Sequence, residues 1–259
     1  MIAVGTSGFS FPGWKGVFYP ETVKPKDYLA FYAGTFPAVE INATYYGIQK
    51  ASVFAGMLER TPASFDFVVK ANRATTHELD NDSVNREFSA SLAPLIEVGR
   101  LSGILAQFPW KFRNGEKNRG YLAKLRDSYR DAPLFIEFRH RSWDRPEVYD
   151  FLNRLGMHFV SVDEPQMGDM MPPDAHATGN IGYVRFHGRN EKTWWGKEGD
   201  RYDYRYADTE LEEWVDRVAA LEKTVWKLYA FFNNCHQGYA ARNAVQFRDL
   251  CRKKGMTAP

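Results

Sequence analysis

Short apolar runs rich in Val, Ile and Phe alternate along this chain with longer stretches whose apolar positions recur at helical spacing. The runs are Ile2–Val4, Ala38–Asn42, Phe65–Lys70, Gly103–Phe108, Leu134–Phe138, His158–Asp163, Ile181–Phe186 and Trp226–Asn233, and each reads as a strand. Between them Tyr28–Ala33, Ser52–Leu58, Val84–Val98, Tyr121–Tyr129, Val148–Leu155, Leu211–Leu221 and Ala240–Leu250 read as helices. Thr209-Glu-Leu-Glu is a plausible helix start, since acids in a first turn complement the helix dipole. Strands that alternate with helices predict a parallel sheet with right-handed crossovers. Eight of them suit a closed (β/α)8 barrel of the TIM type, with an open doubly wound sheet as the competing arrangement.

The length of 259 residues is close to the ~250 of a single such barrel. With no internal repeat, low-complexity linker or composition shift, residues 1–259 read as one barrel domain. Cys235 and Cys251 stand alone, without CxxC spacing, and read as reduced thiols rather than a disulfide framework. No apolar run reaches the ~20 residues that span a bilayer, and no leader precedes Ile2, so the expectation is a cytoplasmic protein with no membrane partner. A net charge of +2 does not by itself imply nucleic acid.

The chemistry is expected at the strand ends. Residues two apart on a strand share a face, and four runs end in polar pairs at that spacing. These are Glu40 with Asn42, Glu137 with Arg139, Ser161 with Asp163, and Arg185 with His187. The residues between them, Ile41, Phe138, Val162 and Phe186, are apolar. If those face the helices, the polar residues face the barrel axis at its C-terminal mouth, where barrel enzymes keep their sites. Lys70, Gln107, Asn233 and Asn234 also stand at strand ends. A single Glu–Arg pair is most often a structural ion pair; four pairs in phase argue for a site, because burying so many charges is costly.

Other signals are weaker. Gly5-Thr-Ser-Gly8 lacks both the dinucleotide fingerprint and the P-loop ending, so it reads as a tight turn, and GxSxG is absent. Glu40, Glu137, Asp163 and His187 have metal-ligand chemistry, but Arg139 and Arg185 in the same phase would repel a cation, so no metal is assigned. His187–Ala207 is a long irregular stretch in which Trp194, Trp195, Tyr202, Tyr204 and Tyr206 interleave with balanced charges, which suggests a lid or a pinned surface loop. Phe9, Phe11, Trp14, Phe18 and Tyr19 follow the first strand and would overhang the same mouth.

These segments carry a resemblance. Gly5-Thr-Ser-Gly-Phe-Ser, Trp14-Lys-Gly-Val-Phe-Tyr-Pro, Val39-Glu-Ile-Asn-Ala-Thr-Tyr-Tyr and Phe67-Val-Val-Lys-Ala are similar to the YecE-like family, domain of unknown function 72. So are Gln107-Phe-Pro, Glu137-Phe-Arg-His-Arg-Ser-Trp, Val160-Ser-Val-Asp-Glu-Pro, Tyr183-Val-Arg-Phe-His-Gly-Arg, Phe231-Phe-Asn-Asn and Gly238-Tyr-Ala-Ala-Arg-Asn-Ala. The resemblance spans nearly the whole chain and implies a TIM-type barrel, with no catalytic assignment.

Two functional readings compete, beside a non-catalytic ligand-binding or interaction barrel. In the first, an enzyme acts on a small anionic molecule, phosphorylated or sugar-like. Arg139, Arg185 and Lys70 hold the anion, Glu137, Asp163 and His187 do the acid–base chemistry, and Glu40, Asn42, Asn233 and Asn234 orient the substrate. In the second, the barrel binds nucleic acid or processes phosphodiesters, with loop aromatics on bases and Lys15, Lys111, Arg113, Arg189, Lys192 and Lys197 on phosphates.

Overall fold

The computed structural model describes residues 1–79, 82–196 and 200–259. Its strands are β1 Ile2–Ser7, β2 Ala38–Ile41, β3 Asp66–Lys70, β4 Leu101–Gln107, β5 Leu134–Glu137, β6 Met157–Phe159, β7 Ser161–Asp163, β8 Ile181–Phe186 and β9 Lys227–Phe232. All pair in parallel, in the order β6-β5-β4-β3-β2-β1-β9-β8-β7. The two ends of that order are one run of chain joined at Val160, so nine strands make the eight staves of a TIM-type barrel. The Val160 N–H still reaches the Ile136 carbonyl at 2.9 Å, but from Ser161 onward the run pairs with β8 instead of β5. On the other side of the break, the Phe159 N–H donates to Thr178 Oγ1 at 2.8 Å, so the switch leaves no amide unsatisfied.

The helices are α1 Tyr28–Ala33, α2 Ala51–Leu58, α3 Asp82–Ser91, α4 Ala93–Glu97, α5 Glu116–Ser128, α6 Pro146–Arg154, α7 Asp208–Glu222 and α8 Tyr239–Lys253. The single helix expected over Val84–Val98 is two, broken at Leu92 because Pro94 can sit only in a first helical turn. Helix α5 starts five residues before Tyr121, since its polar first turn gives no apolar periodicity to read. No helix among the described residues is long and apolar enough to cross a membrane.

Residues opposite one another in a parallel ladder share a face, and the register therefore fixes which side chains fill the barrel. Ser7 stands opposite Glu40, Glu40 opposite Val68, and Gln107 opposite Glu137. Below them aromatic rings cross the axis, with Phe135 and Tyr183 centroids 4.7 Å apart and Tyr183 and Phe231 5.4 Å apart. At the N-terminal end Lys227 pairs with Asp66, which also accepts from the Tyr229 hydroxyl at 3.0 Å. Outside the barrel Phe186 packs on Trp214 of α7 and Phe247 of α8, and Phe138 stacks on Trp143 at 4.1 Å, both as their phase predicts.

Phe135 crosses the axis only because its neighbour is glycine. A Cβ on Gly103 would lie 2.3 Å from Phe135 Cε2 and 2.8 Å from the Pro133 carbonyl oxygen, at a φ of +153°. Gly103→Ala is expected to lower the urea-unfolding free energy by about 3 kcal/mol, the upper end of ordinary overpacking. Gly120→Ala, which meets open space inside α5, is expected to stabilise by up to about 1 kcal/mol. Equal effects from the two would contradict the packing described for the barrel interior.

Candidate active site

Six strand ends converge on one cavity of about 530 Å³ at the C-terminal mouth. Ser7, Asn42, Lys70, Gln107, Arg139 and Asn233 form its floor. Loops raise aromatic walls above them, with Phe11, Tyr45, Tyr46, Trp110, Trp194, Trp195 and Tyr202 lining the opening. His77, Pro109, Met170, Arg201 and Cys235 complete the lining.

A buried ionic lattice supports this floor. Arg185 is 1% exposed and donates through Nη1 to Glu137 Oε2 at 2.5 Å and through Nη2 to Glu40 Oε1 at 2.7 Å. Glu40 Oε2 accepts from the Tyr183 hydroxyl at 2.6 Å. Arg139 donates through Nη1 to Glu164 Oε2 at 2.6 Å, its Nε stands 2.7 Å from Glu137 Oε1, and the Trp194 ring lies 5.6 Å from its Cζ. Of the two arginines only Arg139 reaches the cavity; Arg185 is a bracket holding two carboxylates in place.

His187 lies under Arg139 and is fully buried. Asn233 Nδ2 approaches its Nδ1 at 3.0 Å. Its Nε2 faces a donor, Arg139 Nη2 at 3.0 Å, and an acceptor, Glu137 Oε1 at 3.2 Å. With Asn233 donating to Nδ1, the neutral imidazole carries its proton on Nε2, facing Glu137 Oε1. Burial, then the charge of Arg139, hold His187 well below the ordinary histidine range, so it is neutral near pH 7. Burial alone would raise Glu137, but Arg139, Arg185 and His187 together hold it well below the usual carboxylate range. Burial lifts Glu164 to about 8 against the pull of Arg139.

Lys70 is held differently. Its Nζ donates to Gln107 Oε1 at 2.9 Å and lies 4.5 Å from the centre of the Tyr45 ring. No carboxylate among the described residues stands within ion-pair distance of it. Burial, followed by the charge of Arg185, lowers Lys70 to about 7. His77 stacks edge-on against the other side of the wall at Tyr45, and burial and the Lys70 charge lower it to about 4. The Cys235 thiol is raised by burial and stays protonated.

Two expected residues stand elsewhere. Val162, not Asp163, is opposite Arg185, and Asp163 is opposite Phe186 on the helix side. There Asp163 accepts from Arg189 Nε at 3.0 Å and Nη2 at 2.7 Å, from the Tyr206 hydroxyl at 2.6 Å and from Trp214 Nε1 at 2.6 Å. It anchors the loop after β8 to α7 and is remote from the cavity floor. Asn234 has the same task, donating to the Tyr204 carbonyl at 2.8 Å and to Asn243 Oδ1 at 2.9 Å. The inward carboxylate of this stave is its next residue, Glu164, which hydrophobic phase could not reveal because His158, Val160 and Val162 look no more inward than Met157, Phe159 and Ser161. Tyr45, His77 and Trp110 were also missed, since they lie on turns with no periodicity. With Asp163 outside, the four residues weighed as a metal set do not converge, and no three His, Cys, Asp or Glu side chains among the described residues are placed to hold a cation. From the aromatic segment after β1, Phe11 lines the opening while Trp14 and Tyr19 are buried beneath it.

Comparison with known proteins agrees with this architecture. Residues 3–259 match the model of the family described as protein of unknown function DUF72. The chain is 34% identical to the UPF0759 protein YunF of Bacillus subtilis (strain 168), over 96% of this chain and 94% of that one. Among solved structures it is similar to a DUF72 family protein from Thermotoga maritima MSB8, with 44% identity, a TM-score of 0.91 and coverage of 97% and 99% of the two chains. A DUF72 family protein from Enterococcus faecalis V583 superposes with a TM-score of 0.86 at 29% identity, covering 97% and 96%. With the match running from the first strand to the last residue, and the same barrel in both solved relatives, the chain belongs to the DUF72 family.

Proposed function

We propose that this barrel is an enzyme acting by acid–base chemistry on a small anionic, sugar-like molecule at its C-terminal mouth. One observation carries the reading: two cationic heads, Arg139 and Lys70, meet at the floor of an aromatic-walled cavity beside an unpaired acceptor, Asn42 Oδ1, which is buried and has no hydrogen-bond partner. Guanidinium and ammonium groups suit a phosphate or carboxylate, and an orphaned amide oxygen suits a substrate hydroxyl. A volume of about 530 Å³ is that of a small-molecule site. Aromatic faces stack on sugar rings and exclude water. His187 and Glu137 beneath the floor would position Arg139 and Asn233 rather than touch the substrate, leaving Lys70 and His77 in the lining to exchange protons.

The nucleic-acid reading needs cations on the rim. Lys111, Arg113 and Lys192 are exposed, but Arg189 is tied to Asp163, Lys15 lies 3.3 Å from Glu21, and Lys197 is outside the described residues. Thermal-shift titration tests the ranking. Ribose 5-phosphate, as a probe, is expected to raise the melting temperature of the wild type, by up to the equivalent of about 2.7 kcal/mol at 100 times Kd, while ribose does so weakly. Arg139→Gln is expected to remove the shift. If phosphorylated sugars leave the melting point unmoved, and an oligonucleotide binds tightly at physiological salt until Lys111 and Arg113 are both replaced by Ala, the polynucleotide reading takes its place.

A further inference from the structure

We propose that Lys70 is a covalent amine catalyst, forming an imine with the carbonyl carbon of an open-chain anionic aldehyde or ketone; this rests on the small-anion reading of the mouth and names its substrate class. The geometry is that of a nucleophile and not of an ion-pair partner. Nζ sits at the end of β3 on the cavity floor, oriented by a neutral acceptor, Gln107 Oε1, at 2.9 Å and by the Tyr45 face at 4.5 Å. The carboxylates that could neutralise a lysine are engaged elsewhere. Glu137 and Glu40 are bracketed by Arg185, and Glu164 by Arg139. Lys70 therefore sits at the floor without a carboxylate partner of its own, its charge disfavoured first by burial and then by Arg185. With its pKa lowered to about 7, a large share of it carries a free lone pair at neutral pH, which is the form that attacks carbonyls.

The reaction balances with solvent alone. The Nζ lone pair forms a bond to the carbonyl carbon while the C=O π pair moves to oxygen, which takes a proton as nitrogen gives one up. A second proton converts the carbinolamine hydroxyl into water, which leaves as the nitrogen pair closes the C=N bond. Amine, carbonyl and one proton thus yield a protonated imine and water. Arg139 would hold the anionic group of the substrate. His77, neutral and on the cavity wall, can pass protons at the carbinolamine.

The experiment is reductive trapping of the full-length protein with glycolaldehyde phosphate and cyanoborohydride at pH 7, read by intact mass and peptide mapping, with uncharged glycolaldehyde as comparison. One equivalent of secondary amine is expected on Lys70, at least tenfold faster with the phosphorylated aldehyde. Lys70→Met should lose that adduct, and Arg139→Gln should keep it while losing the preference for phosphate. Labelling scattered over surface lysines and unchanged in Lys70→Met would overturn the amine proposal. If Lys70 is not labelled yet ribose 5-phosphate still raises the melting temperature through Arg139, the covalent step fails and the small-anion site stands. If neither occurs, both fail together.

Discussion

Lys70→Met is expected to make the protein more stable at pH 7, by an amount on the order of a few kcal/mol, while removing the amine proposed as nucleophile. In the folded protein burial and Arg185 lower Lys70 to about 7, whereas in the unfolded chain it titrates near the ordinary ~10.4. Between those values the unfolded state binds more protons than the native state, so the contribution of Lys70 to stability rises with pH over that window. At and below about pH 7 the native state bears the full cost of a lysine that prefers to be uncharged. Methionine has a similar length, carries no charge and can fill the space beside Tyr45. The wild type should therefore gain stability from pH 7 toward 10 relative to Lys70→Met, and the two curves should converge at the alkaline end. Urea midpoints measured across that range test this directly. Parallel curves would mean that Lys70 is an ordinary lysine in the folded state and would remove the physical ground for a nucleophile.

The opposite sign is expected at Glu137. Its two oxygens face Arg185 Nη1, Arg139 Nε and His187 Nε2, all within 3.2 Å. Glu137→Ala leaves two guanidinium groups in the barrel interior with one carboxylate fewer to balance them. Breaking a buried pair from one side costs about 3–5 kcal/mol, which for a chain of this size is a fall in melting temperature on the order of 10 °C. Removing the whole bracket should be milder, so Glu137→Leu and Glu40→Gln together with Arg185→Met is expected to recover part of the loss, a coupling visible in a mutant cycle. A Glu137→Ala protein that melts like the wild type would show that the lattice beneath the floor contributes no net stability, and that Arg139 is positioned by other contacts.

The contrast between these two residues bears on how sites are built. Glu137, Arg185 and Glu40 pair with one another although Arg185 Nε has no hydrogen-bond partner, whereas Lys70 donates to Gln107 and Asn42 Oδ1 has no partner where the cavity opens. Groups that a fold leaves in that condition are the ones a ligand can satisfy.

How much of this was legible in the sequence follows from the range of the forces involved. Strand and helix alternation is set by local hydrophobic period, so the eight staves, the C-terminal mouth and the inward phase of Glu40, Asn42, Glu137, Arg139, Arg185 and His187 could be read without coordinates. Asn233 and Lys70 followed from standing at strand ends. The sixth stave could not be phased, because both of its faces are buried and neither alternation is more apolar than the other. The ladder to β8 decided that Glu164 turns inward and that Asp163 turns out to hold the loop after β8. Sequence also cannot weigh one arginine against another. Only the packing shows Arg185 enclosed between two carboxylates and Arg139 open to the cavity. The lowered pKa of Lys70 belongs wholly to the tertiary structure, since it arises from burial and from Arg185, which β8 brings to the end of β3 from far along the chain.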